Sequence, residues 1–200
     1  MTAAGFLGEP AMTAEARQHF DDDVAELGFV MNATRLWAYA PATMDGLFDL
    51  MRHVPGADDL TVRQRGILVA ACAAAFGDSY CSLAWGSRLA TAADAATAAA
   101  VLRGSDDGLT TSERAMAVWA RTVARDPHRT GAADVQQLRD AGFADTQIFG
   151  ITVYVALRIA FSTVNDALGV RPDAEFRSVA PAAVLAAVTY GRPLSDETAG

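Results

Sequence analysis

The sequence lacks the features that mark several large classes of protein. It has no basic patch: 16 Lys and Arg residues against 24 Asp and Glu residues give a formal net charge of −8, whereas a nucleic-acid surface normally has a basic face. No uninterrupted apolar run approaches the ~20 residues that a membrane span needs. Residues 1–10 lack the basic start and apolar core of a signal peptide. We therefore expect a cytoplasmic protein with no nucleic-acid or membrane partner.

Cysteine and metal-ligand spacings are equally sparse. Cys72 and Cys81 are the two cysteines; they form no disulfide framework, and we expect both to be reduced thiols. The three histidines fit no metal-ligand spacing, and the chain has no glycine-rich phosphate loop and no Gly-x-Ser-x-Gly elbow. We expect neither a metal nor a cofactor.

What is abundant is alanine. Hydrophobic residues make up 52% of the 200 residues, but aromatic residues only 8%, and no segment alternates apolar and polar residues as a strand does. Alanine is the best helix former, and its small side chain lets helices approach closely. The composition predicts an all-α fold in a single domain with a sizeable core.

Capping residues and helix breakers divide the chain into helices. Thr13 caps a helix that begins at Ala14 and ends at Gly28, with Phe20, Val24 and Leu27 as its buried stripe. Further helices are predicted at about 33–40, 42–53, 61–76, 78–90, 94–102, 113–124, 132–141, 146–168 and 182–189. We expect a flexible N-terminal tail (1–11), a helical domain (12–170) and a C-terminal extension with one short helix (171–200).

The segment from Ile67 to Phe76 is apolar on every face. Such a helix is normally buried on all sides, either in a bundle or in an oligomer. We expect it to be the centre of the domain.

Two stretches resemble the core of the alkylhydroperoxidase D / carboxymuconolactone decarboxylase family: Leu-Thr-Val-Arg-Gln-Arg-Gly-Ile-Leu-Val-Ala at 60–70 and Gly-Asp-Ser-Tyr-Cys-Ser-Leu-Ala-Trp at 77–85. In that family an arginine–glutamate pair opens a buried helix, and a glycine precedes Cys-x-x-Cys-x-x-x-His at the start of the next. Leu36-Trp37, the Leu-Thr-x-x-Glu-Arg-Ala run at 109–115 and residues 138–143 fit its peroxidase-related branch. The resemblance, over about residues 30–170, implies an alkylhydroperoxidase D-like helical bundle and a homo-oligomer (a dimer, trimer or hexamer).

The catalytic identities of the family are largely replaced. Its glutamate falls on Gly66, its first cysteine on Asp78 and its histidine on Trp85, while its second cysteine is kept as Cys81. A thiol near its free pKa of ~8.5 must be activated by a base, a cation or a helix N-terminus, and neither Gly66 nor Trp85 can move a proton. We therefore expect no efficient two-cysteine peroxidase turnover.

The replacements admit a functional and a structural interpretation. Gly66 opens pocket volume or is a packing glycine, and Trp85 is a pocket wall or a core contact. Asp78 is an acid/base group, which partial desolvation beside Trp85 would let exchange protons near neutrality, or it is a helix N-cap. Cys81 is a reactive thiol or an inert small hydrophobe. Tyr80, between them, is a candidate substrate-binding residue.

A second cluster lies on the long helix predicted at 146–168. Tyr154, Arg158, Phe161 and Asn165 share one face, and Tyr154, Arg158 and Asn165 are further candidates for substrate binding. A desolvated arginine in so apolar a segment needs an anionic partner. The partner is a substrate carboxylate, which arginine binds through two hydrogen bonds, or a structural acidic residue.

Three functions follow. The leading hypothesis is a small-molecule enzyme with non-redox acid/base chemistry (decarboxylation, isomerisation, dehydration or cyclisation) on an apolar or aromatic substrate, with Asp78 as acid/base. The alternatives are a one-cysteine peroxidase or thiol oxidoreductase that uses Cys81, and a non-catalytic binding or scaffold protein. The last predicts a filled pocket, with Trp85 packed into the space left at Gly66.

Overall fold

The computed structural model describes residues 5–57 and 59–196, and in these residues the chain forms eleven α-helices, one 3₁₀ turn at Pro127–Arg129 and no strand. The all-α prediction is confirmed. Residues 1–4 of the predicted tail, Asp58 and residues 197–200 of the predicted extension lie outside this description. The helices are α1 (Ala14–Leu27), α2 (Asn32–Trp37), α3 (Pro41–Arg52), α4 (Val62–Phe76), α5 (Ser79–Ala92), α6 (Ala95–Leu102), α7 (Thr111–Arg125), α8 (Ala132–Asp140), α9 (Asp145–Ala167), α10 (Phe176–Val179) and α11 (Ala182–Ala187).

Helix α1 begins and ends where its capping residues predict. The Thr13 hydroxyl accepts a hydrogen bond from the Ala16 amide at 3.1 Å, and Gly28 ends the helix in the left-handed conformation, with φ of 85°. The buried stripe is wrong in part, because Val24 is 50% exposed and Ala16 is the buried residue of this helix. The reason is that α1 packs mainly on α2 and α3 and not on the central helix α4.

Helix α4 is the centre of the domain, as its apolar composition predicts. Every residue from Gly66 to Ala73 is buried, and α4 packs against α5, α6, α7 and α9. Its apolar faces are therefore covered within one chain and need no partner subunit. Homo-oligomerisation stays a prediction from the family resemblance.

Helix α9 is the longest helix that the structure describes, and it packs on α3, α4, α7 and α8. It is long and apolar enough to cross a membrane by length and composition alone, a test that the core helix of a soluble protein also passes. One contact fixes its position closely: a Cβ built on Gly150 would lie 2.3 Å from the backbone oxygen of Pro55.

A partly buried ion pair joins α4 to α7. Arg63 donates to both carboxylate oxygens of Glu113, at 2.6 and 3.1 Å, and Glu113 also accepts from the Thr110 amide in the capping box of α7. The carboxylate therefore has its charge neutralised and its lone pairs used, which is what a buried charge requires.

The C-terminal segment 171–196 lies across the start of α5. The Ser79 hydroxyl donates to the Arg192 carbonyl at 2.7 Å, and Val184 packs close to Gly86. Helix α11 is the short helix predicted there, whereas the four-residue helix α10 was not predicted. The packing of this segment makes it part of the wall of the site described below.

Two glycines on helix interiors should respond in opposite ways to alanine. Gly46 is exposed on α3, and a Cβ there meets nothing within 4 Å, so Gly46→Ala should stabilise the protein by about 0.5–1 kcal/mol through helix propensity. Gly150→Ala should destabilise it by about 1–3 kcal/mol, because the methyl group overpacks against the Pro55 backbone. Urea denaturation measures both, and a stabilised Gly150→Ala variant would contradict the close approach.

Candidate functional site

A cavity of about 750 Å³ lies between α1, α3, α5, α9 and the C-terminal segment. This volume is typical of small-molecule sites. Exposed charged residues such as Asp22, Glu26 and Arg52 lie at its mouth. Its inner wall includes Met44, Phe48, Met51, Tyr80, Cys81, Trp85, Tyr154, Arg158 and Phe161.

Asp78 caps α5 and fixes the position of Cys81. One carboxylate oxygen accepts a hydrogen bond from the Cys81 amide at 3.0 Å, and the other accepts from the Ser162 hydroxyl of α9 at 2.5 Å. Asp78 is fully buried and does not line the cavity. Its structural interpretation, the N-cap, is therefore realised, and Asp78 cannot contact a molecule in the cavity directly.

Cys81 lines the cavity with its thiol in a protonated state. Burial raises the pKa of the Cys81 thiol well above its ordinary value; the charge of Asp78 raises it further, while Arg158 lowers it. The second thiol, Cys72, lies outside the cavity lining, and burial raises its pKa to about 12. Neither cysteine is a resting thiolate.

Arg158 is a buried cation without an acidic partner in the part of the chain that the structure describes. Arg158 is 5% exposed, and its Nε has no hydrogen-bond partner among the described residues. Its guanidinium lies over the ring of Trp85 at 4.8 Å and that of Phe161 at 5.8 Å, and Nη1 approaches the Met51 sulfur at 3.8 Å. Cation–π contacts of this kind replace only part of the lost hydration.

Aromatic rings form flat walls around this cation. Phe161 stacks on Trp37 with ring centroids 5.3 Å apart and planes inclined by 12°, and Phe48 lies 5.3 Å from Phe161 on the cavity side. Trp85 also carries the exposed guanidinium of Arg88 at 5.2 Å from its centroid. The cavity thus combines planar apolar surface with one buried positive charge.

The Tyr80 hydroxyl is held by Asp173 of the C-terminal segment. It donates to Asp173 at 2.8 Å and accepts from the Ala33 amide at 3.2 Å, while the other Asp173 oxygen accepts from the Asn32 amide at 2.7 Å. Burial raises the pKa of the Asp173 carboxyl to about 6. Because its hydroxyl is engaged in this way, Tyr80 offers the cavity its ring.

Five of the eight candidate residues come together in the cavity: Cys81, Trp85, Tyr80, Tyr154 and Arg158. Three do not. Asp78 lies behind Cys81, as described. Gly66 faces Leu89, whose Cβ would be 3.1 Å from an added Cβ, so Gly66 permits α4 and α5 to pack. Asn165 is fully buried and accepts from the indole of Trp37 at 2.9 Å.

Sequence reasoning missed two residues, Ser162 and Asp173. Ser162 lies four positions after Arg158, so the same helical periodicity that selected Tyr154 and Arg158 could have selected it. Asp173 lies beyond the region of family resemblance, and no pattern in its segment indicates burial. Among the described residues, no group of three or more His, Cys, Asp or Glu could hold a metal ion.

The arrangement of helices is that of the alkylhydroperoxidase D core. Neither a family model nor a curated protein matches the sequence, but solved structures do. The alkylhydroperoxidase AhpD core of an uncharacterised peroxidase-related protein from Ralstonia eutropha is 25% identical, with a TM-score of 0.77, over 88% of this chain and 96% of that one. A peroxidase-related protein from a Silicibacter species has a TM-score of 0.76 at 19% identity over the same shares, 88% and 96%.

A third similar structure is that of an enzyme. It is a Cys-to-Ala variant of the debrominase Bmp8 in complex with 2,3,4-tribromopyrrole, with a TM-score of 0.66 at 17% identity over 94% of this chain and 98% of that one. The resemblance to alkylhydroperoxidase D-like proteins is confirmed, and the structures of similar fold include an enzyme other than a peroxidase.

The Asp173 carboxyl should make stability depend on pH. Its pKa of about 6 in the folded protein lies above the ordinary 3.8, so its ionisation weakens the fold above about pH 6, and this penalty disappears as the pH falls towards 4. A shift of one pKa unit corresponds to about 1.4 kcal/mol. We expect the free energy of unfolding to rise by on the order of 1 kcal/mol or more between pH 7 and pH 5.

The variant Asp173→Asn should lose a large part of that rise. The remainder comes from Asp166, whose pKa burial also raises to about 6, and from Asp23, whose pKa burial raises as well. Urea denaturation at pH 5, 6 and 7 measures the slope, and equal slopes for the variant and the wild type would contradict this role of Asp173.

Proposed function

We propose that the protein is a small-molecule enzyme that binds a planar, apolar substrate with a single anionic group. The anion lies at Arg158, the apolar body lies against Trp85 and Phe161, and the reacting atoms face Cys81. The observation that carries this proposal is the buried guanidinium of Arg158, which lines the cavity and has no acidic partner among residues 5–57 and 59–196.

Two other arginines, Arg121 and Arg63, have the kind of acidic partner that Arg158 lacks among the described residues. Arg121 is 7% exposed and donates to Asp106 at 2.6 Å, and the partly buried Arg63 is paired with Glu113. An unpaired buried charge is costly, since desolvation removes its hydration without replacement. A ligand carboxylate in the cavity would supply the counter-ion that the fold supplies at the other two arginines.

The aromatic walls favour a flat ligand body. Trp85 and Phe161 flank the guanidinium, and Phe48 and Met44 extend the apolar surface beyond it. Planar apolar molecules bury large areas against such rings and gain edge or stacking contacts. An aromatic or other conjugated carboxylate matches both the charge and the shape.

The state of Cys81 favours proton transfer over peroxide reduction. Burial keeps its thiol protonated by raising the pKa, and a neutral thiol is a proton donor and a poor nucleophile. A bound anion at Arg158 would neutralise the one charge that lowers this pKa. The group at the cavity that exchanges the proton is therefore Cys81, and decarboxylation, isomerisation, dehydration or cyclisation are the matching reaction types.

The second candidate is a one-cysteine thiol oxidoreductase. The observation in its favour is that Cys81 lines the cavity beside Arg158, so a thiolate formed during a reaction would have a cation close by. The non-catalytic alternative predicted Trp85 in the space at Gly66. Leu89 occupies that space, and Trp85 lines an open cavity.

The role of Arg158 can be tested with benzoate as the probe. Isothermal titration calorimetry should show binding to the wild type that falls at least about tenfold in Arg158→Met, since a hydrogen-bonded charge pair contributes about 1.5–3 kcal/mol. Arg88→Met is the matched control, because Arg88 also contacts Trp85 but is exposed; its affinity should change by about twofold at most. Benzamide, which has no charge, should not distinguish the variants.

Stability gives an independent readout for the same variants. Without ligand, Arg158→Met should melt at a higher temperature than the wild type, because a well-fitting apolar side chain replaces an unpaired buried charge. Equal benzoate affinity in Arg158→Met and the wild type would refute the anion site. A lower melting temperature would show instead that the guanidinium supports the fold.

A peroxide-consumption assay with a dithiol reductant separates the two enzyme classes. We expect wild type and Cys81→Ser to consume peroxide equally slowly, because burial raises the pKa of the Cys81 thiol and Cys72, outside the cavity, cannot be assumed to act as the resolving cysteine. Consumption that requires Cys81 would overturn the proton-transfer assignment in favour of thiol oxidoreductase chemistry.

A further inference from the structure

A buried carboxylate lies beside the Cys81 thiol at the start of α5. Asp78 is fully buried, and one of its oxygens accepts a hydrogen bond from the Cys81 amide at 3.0 Å. The thiol of the same cysteine also forms a hydrogen bond with the Asp78 side chain. The backbone and the thiol of Cys81 therefore both contact one carboxylate, which fixes the sulfur relative to that charge.

Ser162 of α9 contacts both groups from the opposite helix. Its hydroxyl is the donor in two contacts, at 2.5 Å to the second Asp78 oxygen and at 3.7 Å to the Cys81 sulfur. Among the described residues, the hydrogen-bond donors to Asp78 are thus an amide, a hydroxyl and a thiol, and none of them carries a charge. These hydrogen bonds satisfy the carboxylate oxygens without neutralising their negative charge.

A thiolate at Cys81 would place a second negative charge next to this carboxylate. Two like charges in contact and away from water repel each other, which favours the protonated form of the group that can hold a proton. Burial is the largest cause of the raised pKa of the Cys81 thiol, and Asp78 raises it further, whereas Arg158 and the Ser162 hydroxyl lower it. The thiol is therefore neutral beside a charged carboxylate.

We propose that Asp78 is the residue that makes Cys81 a proton donor, because its charge holds the thiol in the neutral form and suppresses attack by the sulfur as a nucleophile. Ser162 orients both side chains and, as a donor to the sulfur, limits this effect. The inference rests on the proposed function, in which the neutral thiol gives a proton to the substrate. Asp78 and Ser162 are positioning residues, since both act through Cys81.

The proton transfer at Cys81 balances without an added reagent. The S–H bond breaks, the proton bonds to a basic atom of the substrate, and the electron pair stays on the sulfur with one negative charge. Arg158 stabilises this thiolate, while Asp78 opposes it. The sulfur therefore regains a proton, either from another atom of the substrate or from water, and the site returns to the neutral thiol.

Two charges act on the Cys81 thiol, Asp78 at the start of α5 and Arg158 on α9. Three further titratable groups interact with Asp78: Cys72 on α4, Asp166 on α9 and Tyr190 in the C-terminal segment. Burial raises the pKa of Cys72 and of Tyr190, so both are neutral near pH 7. Removal of the Asp78 charge should therefore change the acidity of the Cys81 thiol directly.

The variant Asp78→Asn tests this charge, because asparagine is also a good N-cap. The rate at which iodoacetamide alkylates Cys81 follows its thiolate fraction, and peptide mass spectrometry distinguishes Cys81 from Cys72. We expect alkylation at least about tenfold faster than in the wild type at pH 7 and at pH 8, because loss of the charge lowers the pKa of the thiol. A rate within about threefold of the wild type, or below it, would overturn the proposal.

The matched control is Asp166→Asn. It removes another carboxylate, which is partly buried on α9 and interacts with Asp78. Its alkylation rate should stay within about threefold of the wild type. An equal acceleration in Asp166→Asn and Asp78→Asn would show that the net charge of the region controls the thiol, and would refute the assignment to Asp78.

Ser162→Ala should change the rate in the opposite direction. The sulfur loses the donor that lowers the pKa of the thiol, so alkylation should be at least about threefold slower, and Ser162→Thr, which keeps the hydroxyl, should recover the wild-type rate within about twofold. Looser packing would expose the thiol and speed alkylation instead. An unchanged or faster rate in Ser162→Ala therefore refutes the proposal, even if Asp78→Asn fails to fold.

Benzoate titration of the same variants separates this inference from the proposed function. Retained binding in Asp78→Asn together with faster alkylation supports both. Retained binding with unchanged alkylation refutes the role of Asp78 alone, and no binding in the wild type refutes the proposed function whatever the alkylation rates.

Discussion

The all-round burial of α4 is the constraint on which the remaining structure depends. Its consecutive buried residues, from Gly66 to Ala73, require apolar cover on every side, and α5, α6, α7 and α9 supply it. Because α5 and α9 both pack on α4, the faces of α5 and α9 that point towards the core lie next to each other. This arrangement places Cys81 against Ser162 and Trp85 against Arg158, so the candidate site is a product of how the core is covered.

Arg158 is a buried charge that has no acidic partner within residues 5–57 and 59–196. The protein neutralises Arg121 and Arg63 with its own carboxylates but surrounds Arg158 with rings and the Met51 sulfur. Ligand-binding sites commonly contain a buried charged or polar group without a protein partner, since the ligand then supplies the missing interaction. The C-terminal segment forms part of the wall of the same cavity. Its Asp173 accepts a hydrogen bond from the Tyr80 hydroxyl, and its Phe176 packs edge-on against the Tyr80 ring.

Local sequence rules predicted the helices of this protein well. Caps and breakers such as Thr13, Gly28 and Gly77 act within one or two turns of chain, and the structure places them at helix ends. The apolar segment around Ile67 identified the central helix for the same reason, since a helix with no polar face must be buried. The periodicity of α9 also placed Tyr154, Arg158 and Phe161 together in the cavity. The prediction for Val24 was wrong because the face that α1 buries depends on the helices that pack on it, which are mainly α2 and α3.

The sequence by itself therefore determined the all-α class, the helix ends, the central helix and the isolation of one arginine in an apolar face. Only the tertiary structure decided which of two roles each candidate residue has. It placed Asp78 behind Cys81, turned Gly66 towards Leu89 and tied Asn165 to Trp37. The same holds for Ser162 and Asp173, whose partners lie 84 and 93 residues away in the chain. Such contacts depend on the packing angles between helices and on the path of a C-terminal segment, and no local pattern of residues encodes either.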